Sequence, residues 1–288
     1  RIAHILDKGV PPYRILAITF TNKAAREMQE RVQKLVGVEA ERIWLSTFHS
    51  FCAKLLRFEI DGFKGYTRNF TIYDSQDQMT LVKNCLKEIN LDDKQFPPRS
   101  VLSAISNAKN ALQDAKAYGA LAGSFYEQQV AQVYSLYEGK LKDNNAMDFD
   151  DLLLLSVQLL QENEAVREKY QDRFQYILVD EYQDTNHAQY LLTKILAAKW
   201  KNICVVGDAD QSIYAWRGAD IRNIVDFQKD YPKAATIKLE QNYRSTKTIL
   251  HAANAVIENN ASRPEKNLWT ENPTGHKIIH YHAQTEHD

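Results

Sequence analysis

No stretch of these 288 residues approaches the ~18 consecutive apolar residues that a membrane-spanning helix needs. Cysteine is scarce. Cys52, Cys85 and Cys204 are odd in number, far apart, and form no C-x-x-C pair, which speaks against a disulfide or zinc framework. Net charge is almost absent, with 36 Lys+Arg against 37 Asp+Glu and a formal −1. No global basic field announces a nucleic-acid partner, although a sum says nothing about a local basic stripe. The chain has no signal-peptide pattern, no internal repeat and no low-complexity segment. At 44% apolar and 25% charged residues it has an ordinary globular composition. Disordered, collagen-like and small disulfide-scaffold classes are thereby removed. The length points to about two domains. The unpaired thiols point to a reducing compartment, so a cytoplasmic protein without a membrane partner is expected.

What is present is a series of short runs rich in Ile and Val. They are Ile15–Phe20, Ile43–Thr47, Tyr176–Asp180, Ile203–Gly207 and Thr236–Leu239. Nearly continuous and without period-two alternation, they read as buried parallel strands. Helical patterns follow most of them. Asn22 is the expected cap of a helix with Ala24, Ala25, Met28, Val32, Leu35 and Val36 on one face, stopped by Gly37. Strand alternating with helix implies an α/β fold with a parallel sheet. Residues 1–9 read as the end of a helix closed by Gly9, whose beginning is expected upstream. From 72 to 147 the periodicity is helical and no strand is expected. Val82, Leu86 and Ile89 make one stripe, and Val130, Val133, Tyr134 and Tyr137 another, with a break at Phe96-Pro97-Pro98. This is the pattern of an all-helical insertion. A helix over Thr246–Ile257 and a late strand over Lys277–His282 are expected beyond it. Cys204 reads as a buried strand residue.

In a parallel α/β sheet, ligands bind at the carboxyl ends of the strands. Those ends carry Thr19 to Lys23, Thr47 to Ser50, Asp180-Glu181, and Gly207-Asp208 followed by Asp210-Gln211. In YILVDEYQD the strand delivers two carboxylates together. One can hold Mg²⁺ while the other polarises an attacking water, the two tasks of phosphoryl transfer. The bland alternative is a strand end with solvated acids. In VVGDADQSIYAWRGAD, Gln211 is placed to sense a phosphate, and Tyr214 and Trp216 flank a loop beside Arg217. Planar rings next to a cation suit stacking on single-stranded bases; the alternative is a pair of core aromatics.

These residues carry a resemblance. TFTNKAAREMQERV, STFHSF, DFDDLL, VDEYQD, GDADQSIYAWRGAD and LEQNYRST resemble, in order, six motifs of the superfamily I DNA helicases of the UvrD/Rep/PcrA type, across most of residues 15–246. The resemblance implies a RecA-like P-loop NTPase motor domain with an all-helical insertion. Motor domain 1A would be residues 1–71 and 148–240, helical subdomain 1B residues 72–147, and the start of a second motor domain 2A residues 241–288. It implies ATP and Mg²⁺ as cofactors. Single-stranded DNA and single-strand/duplex junctions are the implied partners, with repair or replication proteins beside them, and movement is implied to run 3′ to 5′. Residue by residue, Asp180 would hold Mg²⁺, Glu181 would activate water, and Gln211 would contact the γ-phosphate. Tyr243 would stack on adenine and Arg244 would stabilise transition-state charge. Thr19, Phe20, Asn22, Thr47 and His49 would line the single-strand track, with Tyr214, Trp216 and Arg217 beside the bases.

The sequence departs from that family in small ways at Ala209 and Ala215 and in one large way. No G-x-x-x-x-G-K-[ST] occurs; the only Gly-Lys pair, Gly139-Lys140, has Tyr134 and Leu141 around it. A fragment without its own phosphate grip, itself inactive, is therefore expected. Two other classes stay open. One is a non-catalytic DNA- or partner-binding module. The other is a metal-dependent nuclease built on Asp150, Asp151, Asp180, Glu181, Asp184, Asp208 and Asp210, which leaves the aromatic loop unexplained. His280 and His282 would share a strand face, more simply as solvated side chains than as metal ligands. Lys83, Lys87, Lys94, Lys109, Lys116, Lys140 and Lys142 read as a solvated face of the insertion.

Overall fold

A computed structural model describes residues 1–260, 266–283 and 285, without the side chain of Arg217. Helix α1 (Ile2–Asp7) ends at Lys8, and Gly9 follows at φ +82°, where a side chain would be strained. Strand β1 (Ile15–Thr19) is buried along its whole length. Helix α2 (Asn22–Val36) is capped by Thr21, whose Oγ1 accepts from the Ala24 amide at 3.1 Å. Asn22 is thus the first helical residue rather than the cap, because the hydroxyl one position earlier already meets the free amide. Met28, Val32 and Val36 face the core, but Leu35 is exposed. Strand β2 (Trp44–Thr47) leads directly into α3 (Phe48–Glu59).

Strands β3 (Thr71–Ile72) and β4 (Ala146–Met147) pair in parallel and enclose four helices. These are α4 (Ser75–Glu88), α5 (Pro98–Asn110), α6 (Ala115–Leu121) and α7 (Phe125–Asp143). The insertion is helical, but this short strand pair at its base corrects the expectation of no strand. Two-residue strands carry too little pattern to register as alternation. Asp74 and Ser124 close capping boxes on α4 and α7, and Pro98 opens α5 as a first-turn proline. The insertion has its own core of Val82, Leu86, Val101, Ile105, Val130, Val133, Tyr134 and Tyr137.

Helix α8 (Phe149–Glu162) is buried on most sides through Leu152 to Leu155, Val157, Leu159 and Leu160, between α3, α5 and α10. After it come α9 (Glu164–Arg173), β5 (Tyr176–Val179), α10 (His187–Ala197) and β6 (Ile203–Val205). The sheet order is β2-β1-β5-β6 with every pair parallel, Leu16 lying between Trp44 and Ile177. A central all-parallel sheet needs apolar side chains on both faces, which is why these runs lack alternation. Cys204 lies in β6 but is half-buried, since β6 is the edge strand. All three thiols are free.

Lys109 departs most from its expected place. It is 1% exposed, and its ammonium meets Asp148 Oδ2 and Asp151 Oδ1, each at 2.7 Å. The other six lysines of that set lie at least partly in solvent.

The chain divides into two units: residues 1–208 with 212–223, and residues 209–211 with 224–288. In the second, the short helices α11 (Arg222–Val225, begun in the first unit) and α12 (Phe227–Asp230) precede α13 (Lys247–Ile257). A parallel bridge joins Gln241 to Trp269. Thr236–Leu239 and Lys277–His282 form no strand among the described residues; Ile237 and Leu239 are 80% and 82% exposed. A strand needs an edge to pair with, so apolar content alone does not make one. His280 and His282 accordingly share no strand face, although their rings lie 6.4 Å apart.

Candidate active site and nucleic-acid interface

Four parallel strands deliver their following residues to one edge. At the end of β1, Thr19 is buried with no hydrogen-bond partner for its Oγ1. Phe20 emerges next, half-exposed, and stacks on Tyr214 with ring centroids 6.0 Å apart and planes 19° off parallel. Asn22 is exposed. After β2, Thr47 caps α3, accepting from the Ser50 amide at 3.2 Å. His49 sits edge-on to Phe149 at 6.0 Å. Burial holds its imidazole below the ordinary histidine range.

Strand β5 ends in the acidic pair. The Asp180 amide donates to the Ile18 carbonyl at 2.9 Å, which continues the ladder to the tip. Burial, and then the charge of Glu181, raise the Asp180 carboxyl above its ordinary value. Glu181 is exposed and adopts φ +51°, ψ +42°. A left-handed non-glycine residue costs about 1–3 kcal/mol and persists only when its surroundings hold it. Main-chain bonds hold it, the Tyr182 amide donating to the Val206 carbonyl at 3.0 Å and the Asp184 amide to the Glu181 carbonyl at 2.9 Å, while its side chain is held by Gln183, to which the sequence attaches no role. Buried at 1% exposure, Gln183 donates from Nε2 to Glu181 Oε2 at 2.8 Å. Its Oε1 accepts the Asp208 amide at 3.0 Å. One amide side chain therefore ties the tip of β5 to the loop after β6. The signal available in sequence was an amide flanked by acids in DEYQD. Asp184 is also buried, with Oδ1 unpartnered, and burial followed by the Glu181 charge raises its carboxyl.

The loop after β6 carries Tyr214 and Trp216, with ring centroids 6.4 Å apart. Trp216 is 71% exposed, so it is not a core aromatic; Tyr214 is half-buried under Phe20. Arg217 ends the same turn, but its side chain lies outside the described residues. Gly218 closes it at φ +82°. Phe20, Tyr214 and Trp216 thus form a continuous aromatic ridge on the first unit.

The second unit holds Gln211, Tyr243 and Arg244. Gln211 ends a short turn in which Asp210 pairs with Lys266 at 3.0 Å. Tyr243 is exposed, and its hydroxyl donates to Gln241 Oε1 at 2.8 Å. Asn242 Oδ1 accepts the amides of Arg244 and Ser245 at 2.9 and 2.8 Å, which fixes the turn and leaves the Arg244 side chain exposed.

Two acids of the nuclease alternative are engaged elsewhere. Asp151 is buried against Lys109, and Asp150 accepts from Asn110 at 3.0 Å. Among the described residues no group of three or more His, Cys, Asp or Glu is placed to hold a metal ion. Magnesium does not require one. It takes one or two carboxylates and completes its octahedron with water and substrate phosphates. Asp180 and Glu181, hard oxygen donors side by side at an accessible strand end, fit that role. No helix among the described residues is long and apolar enough to cross a membrane.

Two family models cover nearly all of the chain. The UvrD/REP helicase N-terminal domain matches residues 1–232, and the UvrD-like helicase C-terminal domain matches residues 237–288. The ATP-dependent DNA helicase PcrA of Staphylococcus aureus (strain Mu50 / ATCC 700699) is 59% identical over 289 residues, covering 100% of this chain and 40% of that protein. PcrA of Bacillus subtilis (strain 168) is 56% identical over 287 residues, covering 99% of this chain and 39% of that protein. The chain thus spans about two fifths of the length of these relatives.

Proposed function

The chain belongs to the UvrD/REP helicase family, and from that premise we propose that it is part of an ATP-dependent DNA helicase. The full-length protein couples ATP hydrolysis to 3′-to-5′ translocation along single-stranded DNA and separates strands at single-strand/duplex junctions. Its setting is repair or replication in the cytoplasm. Residues 1–71 and 148–240 act as the first motor domain, 72–147 as its helical subdomain, and 241–288 as the start of the second. The observation that carries this reading is the acidic pair Asp180-Glu181, locked by Gln183 to the loop that bears the aromatic ridge. Hydrolysis chemistry and base stacking then share one rigid edge.

In this reading Asp180 holds Mg²⁺, which, when bound, neutralises phosphate charge. Glu181 orients the attacking water and takes its proton, with its carboxylate aimed by Gln183. Gln211 meets the γ-phosphate, Tyr243 stacks on adenine, and Arg244 stabilises developing charge. Thr19, Phe20, Asn22, Thr47 and His49 line the strand's path, and Tyr214, Trp216 and Arg217 engage bases and backbone. The γ-phosphate favours one arrangement of the motor over another, and its loss reverses the preference.

No G-x-x-x-x-G-K-[ST] loop occurs in these 288 residues, and this supports reading the chain by itself as inactive towards ATP. The same absence favours a second reading, a DNA-binding module without catalysis. ATP hydrolysis by the full-length protein, with and without single-stranded DNA, separates the two. DNA-stimulated turnover that falls by orders of magnitude in Glu181→Gln, with nucleotide binding kept, supports the motor. DNA binding without turnover supports the module.

A further inference from the structure

Asn110 joins the helical insertion to the functional edge. Asn110 is the last residue of α5, and its amide is engaged at both ends. Nδ2 donates to Asp150 Oδ1 at 3.0 Å and to the Ser106 carbonyl at 2.9 Å. Oδ1 accepts from Asn186 Nδ2 at 2.5 Å. These partners belong to the start of α8, to α5 itself, and to the cap of α10 that follows the acidic loop. Asn186 is itself fixed, since its Oδ1 accepts the Gln189 amide at 2.9 Å. Beside it, the Thr185 carbonyl accepts the Asp220 amide at 3.0 Å and Asn223 Nδ2 at 2.9 Å. Gly218, which closes the turn bearing Tyr214 and Trp216, lies against both asparagines. A β-carbon there would stand 3.9 Å from Asn110 Cβ and 4.0 Å from Asn186 Cβ.

We propose that Asn110 is a positioning residue that ties the helical insertion to the Tyr214–Trp216 turn, so that DNA engaged there sets the rate of ATP turnover. The proposal rests on the motor reading above. Asn110 touches neither nucleotide nor DNA; it acts through Asn186 and Gly218. The position needs an amide, because Asp150 requires a donor and Asn186 requires an acceptor on the same side chain. A carboxylate supplies only the second, and an apolar residue neither. Because the contacts are partly buried, water replaces them incompletely.

The test uses the full-length protein and three variants: Asn110→Ala, Asn110→Asp, and the pair Asn110→Asp with Asp150→Asn. ATP turnover is measured without DNA and across a titration of single-stranded oligonucleotide. We expect Asn110→Ala to keep DNA-free turnover and to lose roughly 2- to 30-fold of the DNA-stimulated rate, the range typical of coupling positions. Asn110→Asp falls at least as far, because two carboxylates then face each other. The paired variant recovers, since donor and acceptor exchange places while Asn186 still donates. Undiminished stimulation in Asn110→Ala overturns the proposal. So does an equal loss with and without DNA, which marks a merely structural residue, and so does a paired variant no better than Asn110→Asp. Absence of DNA stimulation in the unaltered protein sinks the motor reading, and this proposal with it; that outcome is told apart by appearing before any substitution is made.

Discussion

Replacing Lys109 by methionine preserves length and most of the volume but removes the cation bonded to both Asp148 and Asp151. Both carboxylates are almost fully buried. Asp148 also accepts the Tyr137 hydroxyl at 2.9 Å, and the two acids cap α8 reciprocally at 2.8 and 3.1 Å. Burial alone pushes the Asp148 carboxyl up, but Lys109 outweighs it and leaves the group below its ordinary value. Burial and then the Asp148 charge push Asp151 up to about 7. Burial pulls the Lys109 ammonium down, and its two acids raise it well above its ordinary value. Breaking a buried pair by deleting one partner costs about 3–5 kcal/mol, because charge is left uncompensated in low dielectric. That loss corresponds to about two to four orders of magnitude in the exchange of α5 and α8 backbone amides, if these open together. The cost depends on pH with a definite sign. Without the cation both acids have raised folded values, so their penalty is relieved as pH falls towards the unfolded carboxylate range and grows as pH rises. Hydrogen exchange at pH 5 and pH 8, corrected for intrinsic rates, is the assay. Adding Asp148→Asn and Asp151→Asn to the variant recovers most of the loss, since asparagine still caps a helix. A change below about 1 kcal/mol, or one equal at the two pH values, refutes the buried triad and returns Lys109 to solvent.

Trp216→Ala weakens single-stranded DNA binding by about 1–3 kcal/mol in a fluorescence-anisotropy titration; unchanged affinity removes Trp216 from the interface. Gln183→Ala lowers ATP turnover while leaving the KM for ATP in place, because it frees the Glu181 carboxylate without touching a nucleotide contact; a rise in KM alone contradicts this. Burial keeps His49 neutral at pH 7, so His49→Gln leaves the slope of log affinity against log salt unchanged, and a slope reduced by about 1 would reveal a charged phosphate contact.

The strands that could be read in the sequence are those of the parallel sheet, and the clearest of them is buried along its whole length. Ile15 to Ile18 needs partners on either side, and that need appears in the chain as an unbroken apolar run. Thr236–Leu239 also offers Ile and Leu, though with Thr236 and Lys238 among them, and forms no strand. Composition records a capacity for pairing, whereas pairing itself depends on an edge supplied by another segment. The Thr21 cap and the Thr71–Ile72 pairing with Ala146–Met147 were missed for a related reason: each turns on one or two hydrogen bonds, below what periodicity resolves.

The site divides along the same line. Asp180, Glu181, Tyr214 and Trp216 could be picked out because strand ends and aromatic turns expose chemistry in short, contiguous patterns. Gln183 and Asn110 could not, because their partners are distant in sequence: Asp208 for one, Asp150 and Asn186 for the other. Lys109 shows the consequence most sharply. In the sequence it is one lysine among seven in a helical insertion. In the fold it neutralises two acids of DFDDLL, a motif whose charges otherwise invite a catalytic reading. Asp148 and Asp151 are consumed in holding α8 to α5, and Asp150 in holding Asn110. With those three acids engaged elsewhere, the tip of β5 offers Asp180 and Glu181 within reach of solvent, and Gln183 decides where Glu181 points.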